Sequence, residues 1–427
     1  MKKLLLILIV LLSGSSLFSQ VRGQEIRIVV SPDHKNWDYD LNEKCEFRVQ
    51  VFKAQNLLDG VSIDYELGAE FYQSEKKQGI VLDNGELTIK SKGLSKPGFL
   101  RLDVLAHVDG REYKGSANVS YAKELLQPIS TMPADFESFW SNTIKEARKT
   151  ELNATRTLLP ERCTDKVNVY EVSFQNERWG SRIYGILTLP KEEGKYPALL
   201  RVPGAGVRPY HGDIETASRG AIVLEIGIHG IPVTMEQGVY DNLAHGALAN
   251  YWNYGRNNRD ESYYKRVFTG ALRSVDYICS LPEYNGKALG VTGSSQGGAL
   301  SIVTAALDDR ITFLAAVHPA MCDHLAHTKG RAGGWPHWFY YFKNYTEAEM
   351  ETSRYYDVAN FARNVKVQGW YSWGYNDNVC PPTSMHSAYN VITANKEFHP
   401  YLETGHFWYQ EQWEEWCKWI WKQMGIE

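Results

Sequence analysis

The chain has 427 residues, 43% hydrophobic and 22% charged, with 35 Gly and 16 Pro, a balance that excludes collagen-like, low-complexity and wholly disordered chains. At roughly 150 residues per domain the length suggests two or three domains. Lys and Arg number 46 against 50 Asp and Glu, a net charge of -4, so no basic field is available to neutralise phosphates and nucleic acid is not an expected partner.

Residues 1–20 read as a secretory signal peptide: Lys2 and Lys3 precede the apolar run Leu4 to Leu12, and small residues such as Ser13, Gly14 and Ser15 follow. That run is far shorter than the roughly 20 residues that cross a bilayer, so no membrane span is expected. No cysteine lies near the cleavage region to take a lipid, and the mature protein is expected to be secreted or periplasmic.

Residues 25–122 show short alternating runs: Phe47, Val49 and Val51; Ile63, Tyr65 and Leu67; Leu87 and Ile89; Leu100, Leu102 and Val104. Period two marks half-buried strands. Turn signals fall between them (Asp83-Asn84-Gly85, Lys96-Pro97-Gly98, Asp109-Gly110), as expected of a small all-β, Ig-like sandwich with an accessory role. Residues 123–159 read as a connector with one helix, opened by Pro133, with Phe136, Phe139 and Trp140 on one face.

Across residues 160–427 the period changes. Apolar runs (Ala198 to Val202, Ala221 to Ile226, Leu289 to Thr292, Phe313 to Val317, Val367 to Tyr371) alternate with amphipathic stretches such as Tyr263 to Cys279 and Gly297 to Leu307. This predicts a doubly wound α/β domain, a parallel sheet covered on both faces. The six cysteines, Cys45, Cys163, Cys279, Cys322, Cys380 and Cys417, lack C-x-x-C spacing, which argues against a zinc site and a dense disulfide framework.

The strand-like Ala288 to Thr292 runs into Gly293-Ser294-Ser295-Gln296-Gly297-Gly298 and then into a helical run. This is G-x-S-x-G between strand and helix, a nucleophile elbow, the setting in which a serine hydroxyl is forced outward at the carboxyl edge of a sheet. Ser295 is the candidate nucleophile, and the unpaired N–H groups of the following helix suit an oxyanion. A serine needs a base held by an acid, in the order Ser, Asp or Glu, His. Asp377 follows the strand-like Val365 to Trp373, and His406 follows the strand-like Phe398 to Leu402, both where open parallel sheets place their active sites.

His318, His324 and His327 follow the strand after the elbow, but no carboxylate or cysteine pattern completes a metal set. His318 is expected to line the pocket, and Trp335 and Trp338, in an aromatic segment with Phe339, Tyr340 and Tyr341, to form a substrate wall or core packing. An aromatic share of 13%, with 13 Trp and 26 Tyr, suits stacking on sugar faces.

Several strings together resemble the acetylxylan esterase and cephalosporin-C deacetylase family, carbohydrate esterase family seven of the α/β-hydrolase fold. They are Met132 to Trp140, Tyr263-Tyr264-Lys265-Arg266-Val267-Phe268-Thr269, the elbow itself, and Asp377-Asn378-Val379-Cys380-Pro381-Pro382-Thr383-Ser384. The resemblance implies triad roles for Ser295, Asp377 and His406, oxyanion donation from the backbone N–H of Gln296 and of Ala205 in Pro203-Gly204-Ala205-Gly206, and possible oligomerisation. The chain departs from the family at three places: Gly227-Ile228-His229-Gly230 replaces the usual Arg-Gly-Gln, Ala205 stands at an expected Tyr, and Phe407 follows His406 in place of Glu. His229 is thereby a candidate pocket residue.

The expected activity is a serine esterase that removes acetyl groups from an acetylated oligosaccharide or polysaccharide, without metal or organic cofactor. Rival readings are a serine peptidase or long-chain ester hydrolase on the same fold, and a catalytically dead glycan-binding protein.

Overall fold

The computed structural model describes residues 24–427, and the signal-peptide reading of residues 1–20 lies outside them. The amino-terminal region folds as two sheets over one core. One sheet comprises Ile26–Pro32, Cys45–Lys53, Asn56–Leu57 and Glu86–Ser91; the other runs in the order Asp38–Tyr39, Arg111–Tyr121, Gly98–Val108, Ser62–Ala69, Tyr72–Val81. The alternating residues Phe47, Val49, Val51, Ile63, Leu67, Leu102 and Val104 fill the space between them.

Tyr72–Val81 carries no alternating pattern because it is an edge strand, exposed along most of its length. Its polar run Ser74-Glu75-Lys76-Lys77-Gln78 discourages pairing with another chain.

The second region is an α/β domain built on a nine-stranded sheet. Its order is Thr155–Leu158, Val167–Gln175, Arg182–Pro190, Ile222–Gly227, Tyr196–Arg201, Tyr284–Ser294, Phe313–Val317, Gln368–Ser372, Lys396–Phe398. The expected parallel sheet holds from Ile222–Gly227 onward. The first three strands instead join antiparallel: short connections bring Val167–Gln175 and then Arg182–Pro190 straight back beside the strand before, and Arg182–Pro190 runs opposite to Ile222–Gly227, which follows it only after the strand Tyr196–Arg201. The segment 123–159 holds the helix Phe136–Arg148, which begins just after Asp135, two residues past Pro133, and also the edge strand Thr155–Leu158.

Two apolar layers cover the sheet. On one face the helix Tyr263–Ser280 buries Val267, Ala271, Val275 and Ile278, the stripe its periodicity predicts, beside the helix Gln296–Leu307. On the other, the helix Gln410–Met424 sets Trp416, Ile420 and Met424 against Leu199, Val223 and Phe313. Trp416 Nε1–H also donates to Thr292 Oγ1 at 2.8 Å, which ties this last helix to the strand that leads into the elbow. All six cysteines are free thiols.

Candidate active site

Strand order reverses between Tyr196–Arg201 and Tyr284–Ser294, neighbours that leave the sheet in opposite directions, and a crevice opens at the carboxyl ends of such a pair. Ser295 and the loop Pro203 to Gly206 lie there. Ser295 has φ 62° and ψ -123°, a backbone conformation that costs a non-glycine residue about 1–3 kcal/mol. It is held by three bonds: its N–H donates to Val317 O at 2.9 Å, and its carbonyl accepts from Ala299 and Ala320, each at 3.1 Å.

The flanking glycines are dictated by close approach. A Cβ on Gly293 or on Gly297 would sit 2.4 Å from the Val202 carbonyl oxygen. With both methyl positions empty, the loop after Val202 comes down onto the elbow.

Gln296 opens the helix, so its N–H has no intrahelical acceptor. Neither it nor the Ala205 N–H is bonded among the described residues. The buried Gln296 side chain locks their spacing: Oε1 accepts from Tyr251 (2.7 Å) and Tyr264 (3.0 Å), while Nε2 donates to Pro203 O at 3.3 Å.

Asp377 is fully buried. Its Oδ1 accepts the N–H of Val379 at 2.9 Å and of Cys380 at 2.8 Å, the turn formed by the Cys-Pro-Pro string before the helix Pro382–Asn390. Its Oδ2 lies 2.8 Å from His406 Nδ1 and 3.2 Å from His318 Nδ1. Burial by itself would raise this carboxyl, but the two imidazoles outweigh it and hold the group well below the usual carboxylate range. An ionised carboxylate only accepts, so Nδ1 of His406 carries the proton and Nε2 is the basic nitrogen.

His406 is reached differently from the expected strand Phe398 to Leu402. The last strand stops at Phe398; beyond it single bonds from the N–H of His399 to Tyr371 O and of Tyr401 to Trp373 O still hold the chain to its neighbour, and a loop then carries it to His406.

The remaining candidates divide. His318 is buried behind Asp377, its ring centroid 5.3 Å from that of His406, so it faces the acid and not a pocket. His229 has both nitrogens engaged, Nδ1 with Tyr263 Oη at 2.7 Å and Nε2 with Gly206 O at 3.0 Å. It braces the loop beside Ala205, and burial pushes its pKa down to about 4, which keeps it neutral. Trp338 is core: it is buried, its Nε1–H donates to Asn253 Oδ1 at 3.0 Å, and its ring stacks 4.6 Å from His324. Trp335 lines a cavity of about 390 Å³ with Trp252, Tyr341 and Asn378.

His327 packs against His337, Nε2 to Nδ1 at 3.2 Å, and takes part in no metal grouping among the described residues. Among the described residues the grouping with metal-like spacing is His318, Asp377 and His406, with ligand atoms within 4.8 Å of one another. Its contacts are those of an acid between two imidazoles.

Sequence reasoning missed the supports of the site. The string Tyr263-Tyr264-Lys265-Arg266 braces it residue by residue: Tyr263 holds His229, Tyr264 holds Gln296, and Arg266 Nη1 donates to Ile228 O at 2.9 Å. Two adjacent tyrosines opening an amphipathic helix were the visible signal.

Comparison with known proteins adds to this geometry. Residues 123–423 match the family model described as acetyl xylan esterase (AXE1). The chain is 38% identical over 407 residues to the acetyl esterase Axe7A of Xylanibacter ruminicola, an overlap of 93% of this chain and 91% of that protein. Among solved structures, an acetyl xylan esterase from a Paenibacillus species matches with TM-score 0.60 and 25% identity over 70% of this chain and 97% of its own. Acetyl xylan esterase 1 from a Thermoanaerobacterium species matches in fold, with TM-score 0.59 and 22% identity over 70% of this chain and 97% of its own.

Proposed function

Because the chain belongs to the acetyl xylan esterase family and is a carboxylic ester hydrolase, we propose that it removes acetyl groups from acetylated xylan-type saccharides through a Ser295, His406, Asp377 acyl-enzyme mechanism. The observation that carries this reading is a histidine whose Nδ1 lies 2.8 Å from a buried carboxylate, both following later parallel strands of the same sheet edge from which a serine at φ 62° projects.

His406 Nε2 takes the Ser295 proton as Oγ attacks the ester carbonyl, and Asp377 fixes the imidazole tautomer and stabilises the imidazolium. The N–H groups of Gln296 and Ala205 receive the oxyanion, each contributing roughly 3 kcal/mol in the transition state. The sugar hydroxyl leaves with the proton from His406. Water then attacks the acetyl-enzyme with His406 again as base, releasing acetate and restoring Ser295. Every proton moves among Ser295, His406, substrate and water, so no cofactor enters the scheme.

Lys2, Lys3 and the apolar run Leu4 to Leu12 support export, and among the described residues no helix is long and apolar enough to cross a membrane. Amino-terminal sequencing of the mature protein tests export.

The chemistry is tested by acetate release from acetylated xylo-oligosaccharides beside a short and a long synthetic ester, with wild type and Ser295→Ala. Rapid release from the saccharide, little action on the long ester, and a loss of about four decades in kcat in the variant are expected. Near-normal turnover by Ser295→Ala would move the nucleophile elsewhere.

A further inference from the structure

The outer face of the five-stranded amino-terminal sheet looks across a cleft at the rim of the candidate active site. Alternation sends Ile63, Tyr65, Leu67, Leu102 and Val104 into the sandwich core and leaves Asp64, Glu66, Asp103 and Leu105 on the opposite side. The register sets Glu66 beside Asp103, Asp103 beside Ser116, and Leu105 beside Lys114. This face is one wall of a cleft of about 990 Å³, the upper end of the range for ligand sites, roughly 300–1,000 Å³. The far wall includes Tyr340, Tyr341, Asn376, Asn378, Gly405 and Phe407. Four of these are the immediate chain neighbours of Asp377 and His406, so the cleft opens beside the triad and not over it.

Three properties point to what the cleft holds. Its acids Asp64, Glu66, Asp103 and Glu403 are matched in number by Lys76, Lys77, Arg101 and Lys114. Some are already paired within the wall, Lys76 with Glu66 at 2.6 Å and Arg101 with Asp103 at 2.8 Å. Opposed charges at this spacing cancel beyond a few ångströms and offer a charged polymer no net attraction, while their hydrogen-bonding capacity remains. At the active-site end, the rings of Tyr341 and Phe407 are 64% and 50% exposed, flat apolar surfaces of the kind on which sugar faces stack.

The wall is also held rigidly. Asn376 Nδ2 donates to Ser116 O at 3.1 Å, Arg101 Nη1 to Asn376 O at 3.3 Å, and Tyr72 Oη to His327 O at 3.2 Å. The acetyl xylan esterase match begins at residue 123, so this wall is supplied by a part of the chain outside what defines the family.

We propose that the cleft is a saccharide subsite in which the amino-terminal sheet face binds neutral pyranose units flanking the residue whose acetyl ester reaches Ser295. The subsite rests on the esterase reading above and gives the sandwich a role in selecting long over short substrates.

The test uses the full chain carrying Ser295→Ala, titrated calorimetrically with unsubstituted xylohexaose, alone and combined with Leu105→Trp, which fills the sheet face, or Tyr341→Ala, which removes an exposed ring. Saturable binding weakened about 10-fold by each change is expected, the effect of losing one well-placed contact. Thermal melting checks that each variant is folded. In the active enzyme, the ratio of kcat/KM for acetylated xylohexaose to that for a short synthetic ester should fall by a similar factor, about 10-fold.

No binding of xylohexaose, or equal affinity in all three proteins, overturns the subsite. The two readings fail separately. Cleft-dependent binding without acetate release keeps the subsite and removes the saccharide deacetylation, whereas acetate release indifferent to both substitutions does the reverse.

Discussion

The side-chain amide of Asn118, on the strand Arg111–Tyr121, donates a 2.8 Å hydrogen bond to the backbone carbonyl of Tyr375, two residues before Asp377. The same Nδ2 donates to Glu70 Oε1 at 2.7 Å, and Glu70 Oε2 accepts from the Thr383 N–H at 3.3 Å. Residues on either side of the acid turn are thus clamped from the amino-terminal sandwich by a buried polar network. Phe99 seals its edge, with its ring 5.0 Å from that of Tyr375.

Asn118→Ala should weaken that clamp. Two buried acceptors lose a donor, at a cost of about 1–3 kcal/mol in stability, and the Asp377 turn gains freedom that should lower kcat roughly 10-fold. Urea unfolding together with turnover of a short ester checks both, and an unchanged kcat would show that the acid turn holds its place without the Asn118 bonds.

Glu70 should give the stability a pH dependence. Burial pushes its carboxyl up from 4.5 to about 7, against partial opposition from Thr383, Arg101 and Asn118. The folded state therefore binds this proton more tightly than the unfolded chain, and the associated stability is complete below about pH 4.5 and lost as pH rises to about 7, roughly 3 kcal/mol in all. Asp323, pushed up to about 6 by burial and by Asp357, adds loss of the same sign. Thermal midpoints of wild type and Glu70→Gln across pH 4 to 8 isolate the Glu70 part, and the variant should show the flatter profile.

Asp377→Asn should preserve the fold and remove the ion that orients His406. An amide cannot favour the Nδ1–H tautomer as a carboxylate does, and kcat should drop by about 10⁴ with little change in KM. Steady-state kinetics on acetylated saccharide and on a short ester should show the same factor, because the loss lies in the chemical step; a loss confined to one substrate would contradict the assigned role.

Gly297→Ala should force the elbow and the oxyanion loop apart, since its Cβ would fall 2.4 Å from Val202 O. Overpacking of this kind costs about 1–3 kcal/mol, and displacement of an oxyanion donor about 10² in kcat. The check is kcat against unfolding free energy in the same preparation: a stability loss with normal kcat would separate the packing from the chemistry.

Much of the site was readable because elbow chemistry is local. A glycine before Ser295 and another two residues after it, between an apolar strand and a helix, impose a conformation wherever they occur. Asp377 and His406 followed from chain order and from their positions beyond late strands. The strand Tyr72–Val81 was not readable, since an edge strand exposed along most of its length needs no apolar period. Nor were the antiparallel strands at the start of the large sheet distinguishable from parallel ones, because direction is a matter of connection and not of composition.

What the sequence determined by itself was periodicity and punctuation: alternating residues for the sandwich, apolar runs and helical stripes for the hydrolase sheet, and the strained turn at Ser295. These follow from interactions within a few residues, where backbone sterics and burial of one face decide the outcome. Only the tertiary structure decided that His229 braces a loop, that His318 stands behind the acid, that Trp338 is core, and that the sandwich reaches across to clamp the Asp377 turn and wall a cleft beside it. Asn118 and Tyr375 are 257 residues apart, and no local rule links them. Their hydrogen bond exists because two independently patterned cores meet with their polar edges matched, a condition set by the whole surface of each.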